Sequence, residues 1–259
     1  MQGFTEEEKA RIRNALEGAR SPWRIEFLDL VGSTQDEAQI LLETGSPPPF
    51  AVLASEQTEG RGRRGRAWNQ DGAKDLSLSL VLRPGDSVPA LLLPILLAGA
   101  LHRGLEAFLP GGGCRIKWPN DILLGGRKLA GILIEGAGEG SWIAGIGVNV
   151  GRRTFPADLA NRATSLALVL PRPPGRAEVA ARFLRETASL LERAEGGDPG
   201  PALEAFHRGF ALLGKEVVIC SRGDESRGRL LALDPSGAAL ASGRVFALGE
   251  IESLRGAEP

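Results

Sequence analysis

Cysteine and histidine are scarce in this chain of 259 residues, which contains two of each. Cys114 and Cys220 lie far apart and have no Cys-X-X-Cys spacing, which argues against a disulfide framework or a zinc site. His102 and His207 are too few for a multi-histidine metal site, and neither belongs to a recognised catalytic motif. The sequence therefore favours a reducing, cytoplasmic location.

Long apolar runs and an excess of charge of one sign are also absent. The longest apolar run, Val88 to Leu101, contains two prolines and is too short to span a bilayer, so it predicts a buried helix. The acidic, polar residues 1–10 are unlike a secretory signal. Because the net charge is −1, no overall field attracts nucleic acid or a membrane, and anion binding requires a local cluster.

Lysine is rare as well, with five lysines against 26 arginines. Two of the five, Lys117 and Lys128, nevertheless lie within one short segment. Lysine offers a compact, movable point charge that the planar arginine fork does not, so the pair indicates a functional need. Chance remains the alternative explanation.

Hydrophobic periodicity and capping signals predict an α+β fold, because clustered strands and separate helices do not alternate as βαβ units. Capping boxes that begin at Thr5 and Thr34 predict helices ending near Ala19 and Gly45. Further helices are predicted at 90–108, 176–194 and 201–208. The predicted strands are 23–30, 50–55, 76–82, 114–118, 122–124, 129–135 and 142–150.

The pattern changes after about Phe210. Short strand-like runs alternate with turns at 216–220, 228–233, 238–241 and 244–248, which is typical of a small β-barrel. The sequence thus predicts a larger domain over 1–209 and a small C-terminal β-barrel over 210–259.

The segment Gly60–Trp68, called here the Arg–Gly loop, is bounded by two predicted strands. It holds four arginines and three glycines within residues 60–66. Glycine allows close backbone approach to a ligand, arginine binds phosphate or carboxylate through two hydrogen bonds, and Trp68 could stack on a purine. A basic nucleic-acid patch and a solvated charged loop remain alternatives. Nucleic-acid-binding domains usually spread basic residues over a face, whereas this run is isolated.

The second unusual segment runs from Lys117 to Gly131. Pro119 restrains the preceding tryptophan to an extended conformation, and Gly125-Gly126 suits a hairpin turn before Lys128. A lysine here could neutralise a carboxylate and an α-phosphate while they are brought together. Asp121, which follows Asn120 at a strand boundary, could hold Mg²⁺ or an ordered water. A plain Pro-Asn-Asp hairpin with surface lysines is the alternative.

Smaller signals lie on other elements. Ser33-Thr34 at a helix start could hydrogen-bond a polar ring, although Thr34 could also serve only as a helix cap. Gln57 could supply an amide contact. The glycines in the strand Gly145-Ile-Gly-Val-Asn149 suggest close ligand approach, with sheet packing as an equal explanation.

Three segments, taken together and in this order, resemble the signature of biotin protein ligases: Gly60–Trp68, Lys117–Asp121 and Arg127–Gly131. The resemblance extends from about Trp23 to Leu254. It implies a catalytic domain similar to class II aminoacyl-tRNA synthetases, with a mixed sheet and flanking helices, followed by a small SH3-like barrel. It also implies two reaction steps. Biotin and Mg·ATP give biotinyl-5′-AMP and pyrophosphate, and a lysine of a biotin carboxyl carrier protein then accepts the biotin.

The resemblance assigns roles by matching motif positions. Lys128, Arg63 and Asp121 are the implied catalytic residues, and Asp121 is also the possible Mg²⁺ ligand. Gln35 departs from the asparagine common after Ser-Thr in the family, which puts only its own contact in doubt. The implied biotin-binding residues are Ser33, Thr34, Gln35, Gln57, Gly60, Arg61, Arg63, Lys128, Gly131 and Gly145. The implied nucleotide-binding residues are Arg61, Arg63, Arg64, Arg66, Trp68, Lys117, Asn120, Asp121 and Asn149.

Partners follow from the same comparison. About 20 residues precede the first predicted strand, which is room for one helix but not for a helix-turn-helix domain. We therefore expect a ligase without repressor function, with no DNA or membrane partner, and with a homodimer as the plausible assembly. A lipoate or octanoate ligase is the alternative enzyme, and a nucleic-acid-binding module using the Arg–Gly loop is the alternative of a different class.

Overall fold

The computed structural model describes residues 3–20, 23–68, 74–85 and 88–257. Its larger part is built on a seven-stranded sheet with the order β1-β2-β3-β7-β6-β5-β4. β1 and β2 are parallel and the other neighbours are antiparallel, which confirms the predicted mixed sheet. The strands are β1 (Arg24–Val31), β2 (Phe50–Gln57), β3 (Leu76–Leu82), β4 (Cys114–Lys117), β5 (Asp121–Leu124), β6 (Arg127–Gly136) and β7 (Trp142–Val148).

Six α-helices accompany these strands in the described part of the chain: α1 (Glu6–Asn14), α2 (Thr34–Glu43), α3 (Leu92–Glu106), α4 (Leu166–Val169), α5 (Arg176–Glu195) and α6 (Gly200–Gly209). The capping box at Thr5 is present, but α1 ends at Asn14 rather than near Ala19. Ser33, not Thr34, caps α2 by accepting a hydrogen bond from the Gln35 amide. Because Ser33 is the cap, the Thr34 hydroxyl is available for other contacts.

The two faces of the sheet carry different side chains, because successive residues of a strand point to opposite faces. Leu76, Leu78 and Leu80 of β3 join the large core that also contains α3 and α5. Val81 of the same strand belongs to a smaller core with Ala38 of α2. α2 therefore covers the opposite face of the sheet from α3 and α5.

The C-terminal part is a five-stranded antiparallel sheet with the order β11-β10-β9-β8-β12. Its strands are β8 (Glu216–Ser221), β9 (Asp224–Asp234), β10 (Gly237–Leu240), β11 (Val245–Phe246) and β12 (Ile251–Gly256). The sequence pattern missed β12, because a register irregularity between Ile251 and Ser253 disrupts the two-residue alternation. The separate β-rich segment agrees with expectation, whereas closure into an SH3-like barrel and the division at residue 210 stay predictions.

Both cysteines are free, as the sequence indicates. Burial raises the pKa of the Cys114 thiol to about 12, so this side chain stays protonated and unreactive. Across the described ranges, no helix is long and apolar enough to cross a membrane.

Candidate active site

A cavity lies between the start of α2, the Arg–Gly loop and strands β3, β6 and β7, and its empty space, including the part open to solvent, is about 460 Å³. The structure brings to it residues from every motif that the sequence singled out. The predicted site residues that line it are Ser33, Thr34, Gln35, Gln57, Arg61, Arg63, Trp68, Asn120, Lys128, Gly131 and Gly145. The remaining predicted residues, which are not among its lining, are Gly60, Arg64, Arg66, Lys117, Asp121 and Asn149.

Strand alternation explains why this face of the sheet can hold a cavity. In β3 the leucines point into the large core, so Ser77 and Ser79 point to the side of α2. In β7 the residues Ala144, Ile146 and Val148 belong to the large core, which leaves glycines on the other face. Small and polar side chains on this face leave room that an apolar strand would fill.

Four polar side chains meet at one end of the cavity, called here the polar corner: Thr34, Gln57 and Ser77, which line the cavity, and Ser79, which is buried behind them. The Thr34 backbone amide and hydroxyl both donate to Gln57 Oε1, at 2.7 and 2.9 Å. Gln57 Nε2 donates to the Ser77 hydroxyl at 3.0 Å, and the Thr34 and Ser79 hydroxyls lie 2.8 Å apart. These mutual hydrogen bonds fix the orientation of groups that can exchange them for a polar ligand ring.

The glycines of β6 and β7 make room for the protein's own side chains in this structure. A Cβ added at Gly147 would lie 2.7 Å from Trp68 Nε1, and one at Gly131 would lie 3.4 Å from Trp68 Cζ3. A Cβ at Gly145 would lie 3.0 Å from Gln35 Cδ. Because Gly131 and Gly147 are paired across β6 and β7, they form a flat shelf on which the Trp68 indole lies. The sequence suggests that a ligand approaches these glycines closely. In this structure the groups that approach them are the side chains of Trp68 and Gln35.

The Arg–Gly loop is closed at its base by backbone hydrogen bonds. Trp68 N donates to Gly60 O and Gly62 N donates to Arg66 O, both at 2.7 Å. Gly60 has no space for a side chain, because an added Cβ would lie 2.6 Å from Trp68 O. At the tip, Arg64 has a φ of 58°, in the left-handed region that favours glycine. The base of the loop is therefore closed by two short main-chain bonds, whereas the tip is a single 3-10 turn with one longer main-chain bond, from Arg66 N to Arg63 O at 3.4 Å.

The arginines of this loop have different surroundings. Arg61 forms two contacts with the Asp36 carboxylate, at 2.6 and 2.7 Å, and the hydrogen bond to Asp36 raises the pKa of Arg61. Arg63 donates to Asn120 Oδ1 at 3.4 Å, and burial lowers the pKa of Arg63, assisted by the charge of Arg64. Arg63 therefore presents a partly desolvated charge beside a neutral amide, a setting that favours an incoming anion.

Lys128 is held by both its backbone and its side chain. Its amide donates to Arg162 O at 2.8 Å, and its carbonyl accepts from Thr164 N at 2.9 Å. Its Nζ lies 2.6 Å from Asp121 Oδ1 and 5.6 Å from the centre of the Trp68 ring. Asp121 is thus the counter-ion of Lys128. Within the described residues no group of three or more His, Cys, Asp or Glu side chains could hold a metal, so Mg²⁺ coordination by Asp121 stays a prediction.

Three of the predicted nucleotide-side residues lie around this lysine. Asn149 is buried and donates to Thr164 O at 3.0 Å and to Lys128 O at 3.4 Å, so it supports the backbone of Lys128. Asn120 donates to Ile132 O at 3.1 Å while its oxygen faces Arg63. Lys117 is exposed on β4, opposite Asp121 in register. Direct nucleotide contacts by these residues stay predictions.

Sequence reasoning missed Ser77 and Ser79 in the polar corner, and Asp36 and Glu135 beside the loop. The alternation Leu76-Ser-Leu-Ser-Leu80 carried a usable signal, because two serines on one face of a buried strand need polar partners. No comparable signal marks Asp36 or Glu135, whose contact with Arg61 joins positions far apart in the chain.

Comparison with known proteins identifies the family to which the chain is similar. A model of the biotin/lipoate A/B protein ligase family matches residues 29–151. The bifunctional ligase/repressor BirA of Bacillus spizizenii is 40% identical over 150 residues, which cover 54% of this chain and 45% of that protein. The chain thus spans about half the length of that relative.

Two further similarities cover nearly the whole chain. The biotin–acetyl-CoA-carboxylase ligase of Mycobacterium tuberculosis is 32% identical over 262 residues, covering 94% of each protein. The structure of a biotin protein ligase from Aquifex aeolicus in complex with biotin and ATP is similar with a TM-score of 0.78 and 29% identity, covering 90% of this chain and 99% of that one. On this near full-length similarity, the chain belongs to the biotin protein ligase family.

Proposed function

We propose that this protein activates biotin with Mg·ATP to form biotinyl-5′-AMP and then transfers biotin to a lysine of a biotin carboxyl carrier protein. One observation carries the proposal. Arg63 and Lys128, from segments far apart in the chain, reach one cavity, one end of which is a corner of hydrogen-bonding groups. A ligand with a polar ring at one end and a carboxylate at the other matches this arrangement.

In the first step the polar corner orients the biotin ring, and the carboxylate extends toward Lys128. The carboxylate oxygen attacks the α-phosphorus of ATP, the bond to the β-phosphate oxygen breaks, and pyrophosphate leaves. Lys128 offsets the charge of both anions, and Asp121 keeps its ammonium group in place. Mg²⁺ enters with ATP as part of the substrate, because Mg²⁺ is usually held by phosphates with one or two carboxylates.

In the second step the neutral amine of the carrier lysine attacks the carbonyl carbon of the mixed anhydride. AMP leaves, an amide forms and one proton is released. Between the steps Arg63 closes over the adenylate and limits its contact with water. The Trp68 ring, supported by the shelf of Gly131 and Gly147, stacks on the nucleotide. Catalysis in this scheme is positioning and electrostatics without a covalent protein nucleophile.

The decisive experiment is pyrophosphate exchange into ATP with biotin, lipoate and octanoate in parallel. We expect exchange only with biotin. Equal exchange with lipoate, or none with biotin, would sink the assignment and favour the related acyl ligase that the family description also covers.

The assembly, partners and location of the protein follow as further parts of the proposal. We infer a homodimer, a carboxylase carrier domain as the protein substrate, and a cytoplasmic site of action. We also infer that the chain acts as a ligase and not as a repressor. α1, the helix before the first strand, packs on the catalytic part, where Arg11 forms an ion pair with Glu178 of α5 at 3.1 Å.

The net charge of −1 offers no general attraction for a duplex. In a fluorescence titration at physiological salt we expect no tight DNA binding, and nanomolar affinity for any duplex would contradict this view.

A further inference from the structure

Arg61 differs from the other arginines of the Arg–Gly loop in the elements that it joins. Its guanidinium contacts both carboxylate oxygens of Asp36 and lies 3.8 Å from Glu135. Asp36 is in the first turn of α2, and Glu135 lies near the end of β6. One side chain therefore ties the loop to a helix and to a central strand.

Gln35 extends these contacts into the cavity. Its Nε2 donates to Glu135 Oε2, and its amide covers Gly145 on the floor of the cavity. Gln35 is only 4% exposed, so its position is set by packing as well as by hydrogen bonding. A carboxylate that contacts both Gln35 and Arg61 couples the floor of the site to the loop above it.

We propose that Asp36 and Glu135 act with Arg61 as a latch that stabilises the closed position of the Arg–Gly loop over the cavity. In this view the Arg61 side chain acts as a positioning residue for the loop. The role of the latch in holding the adenylate rests on the proposed function, whereas the latch itself rests on the contacts of Arg61.

The charges around Arg61 and Arg63 support different roles for these two side chains. Two carboxylates surround Arg61, so its positive charge is largely offset before an anion enters. Arg63 donates to the neutral amide of Asn120 and is influenced by one carboxylate, Asp121, which is already the counter-ion of Lys128, so more of its charge is left available. Arg63 and Lys128 are then the cations that face the anion.

The geometry also bounds the size of the effect. The Arg61 and Asp36 side chains are 38% and 51% exposed, and exposed ion pairs are usually weak. The Arg61–Asp36 pair has two parallel contacts and a second carboxylate nearby, so we expect it to contribute measurably to the stability of the closed loop. We therefore expect removal of the latch to change loop opening by about threefold to tenfold.

Limited proteolysis of the ligand-free protein tests the latch directly. Trypsin cleaves after the loop arginines, and Asp36→Asn and Glu135→Gln leave all of those cleavage sites in place. We expect cleavage within 61–66 to accelerate by about threefold to tenfold in Asp36→Asn and by less in Glu135→Gln. The difference should shrink near about 1 M salt, because salt screens exposed charges.

Asp198→Asn is the matched control, because Arg193 also makes two contacts with one exposed carboxylate. It should leave loop cleavage unchanged, and Asp36→Glu, which keeps the charge, should restore most of the protection. Cleavage at Arg182 and Arg185 of α5 reports global unfolding and should stay at the wild-type rate. Loop cleavage of Asp36→Asn at the wild-type rate, or a parallel rise in α5, would overturn the latch.

A second measurement connects the latch to the reaction. Dissociation of biotinyl-5′-AMP from Asp36→Asn should accelerate by a factor similar to that seen in proteolysis, and Asp198→Asn should match the wild type. An unchanged dissociation rate would overturn the link to retention. If the wild type fails to exchange pyrophosphate with biotin while Asp36 still protects the loop, the proposed function fails and the latch stands.

Discussion

The two segments that bring positive charge to the cavity are built in contrasting ways. Lys128 follows the β5–β6 turn inside the central sheet, where Asp121 pairs with Gly131 and the Lys128 backbone is hydrogen-bonded on both sides. Arg63 lies at the tip of a loop, where one long main-chain bond from Arg66 N to Arg63 O, at 3.4 Å, closes a single turn. A charge used in bond formation benefits from fixed placement, whereas a charge that encloses an intermediate has to move aside when substrates enter and products leave.

Removal of the fixed charge should have the largest effect. Lys128→Ala should slow biotinyl-5′-AMP formation by about 2–4 kcal/mol in the barrier, the scale for one positioned electrostatic group. Lys128→Arg should not rescue fully, because the guanidinium is larger and planar. Single-turnover adenylation measures both variants. A wild-type adenylation rate in Lys128→Ala would show that the fixed charge of Lys128 is not needed for bond formation.

Removal of the movable charge should affect retention more than synthesis. Arg63→Gly should weaken the closed state by about 1.5–3 kcal/mol, the scale for a hydrogen bond to a charged group. Released biotinyl-5′-AMP should then label bystander lysines in solution. The rates to compare are dissociation of purified biotinyl-5′-AMP and its synthesis. Unchanged dissociation with collapsed synthesis would place Arg63 in the chemistry and erase the contrast with Lys128.

The glycine shelf tests whether the end of the loop is fixed by the sheet. Gly147→Ala would place a Cβ within 2.7 Å of Trp68 Nε1 and displace the ring, at a cost of about 1–3 kcal/mol for overpacking. We expect a raised KM for ATP and a smaller change in the KM for biotin. In a Trp68→Ala background the same substitution should have little further effect. Equal effects in both backgrounds would show that the shelf does not act through Trp68.

The smallest effect is expected at Arg64, which provides the matched comparison for Arg63. Its side chain makes no hydrogen bond or ion pair with any residue that the structure describes, and its φ of 58° suits glycine. Arg64→Gly should therefore change adenylate retention by within about 0.5 kcal/mol, as for an ordinary surface position. The same dissociation assay applies. A loss equal to that of Arg63→Gly would mean that the loop acts through total charge rather than through one positioned arginine.

Several elements of the fold could be predicted from local patterns. The pattern predicts β3 residue for residue, because Leu and Ser alternate from Leu76 to Leu80. The capping box at Thr5 located the start of α1, although its end was placed too far along the chain. α4 was not predicted, since a four-residue helix carries too little periodicity to detect. Local signals thus locate elements better than their ends.

The features of the site also differ in how far the local sequence reveals them. The motifs around Lys128 and the Arg–Gly loop could be recognised because their unusual residues lie close together in sequence. The cap of α2 could not be assigned to Ser33 rather than Thr34, because both residues suit that position. Only the folded structure shows that the Ser33 hydroxyl accepts from the Gln35 amide while Thr34 contacts Gln57 and Ser79.

By itself, the sequence determined which residues could carry chemistry: a rare lysine after a glycine turn, arginines among glycines, and hydroxyls at a helix start. Only the tertiary structure decided how they are used. It placed Asp36 and Glu135 beside Arg61, and it laid Trp68 on Gly147. The physical reason is that charge pairing and close packing depend on distances between residues remote in sequence, and the folded sheet sets those distances.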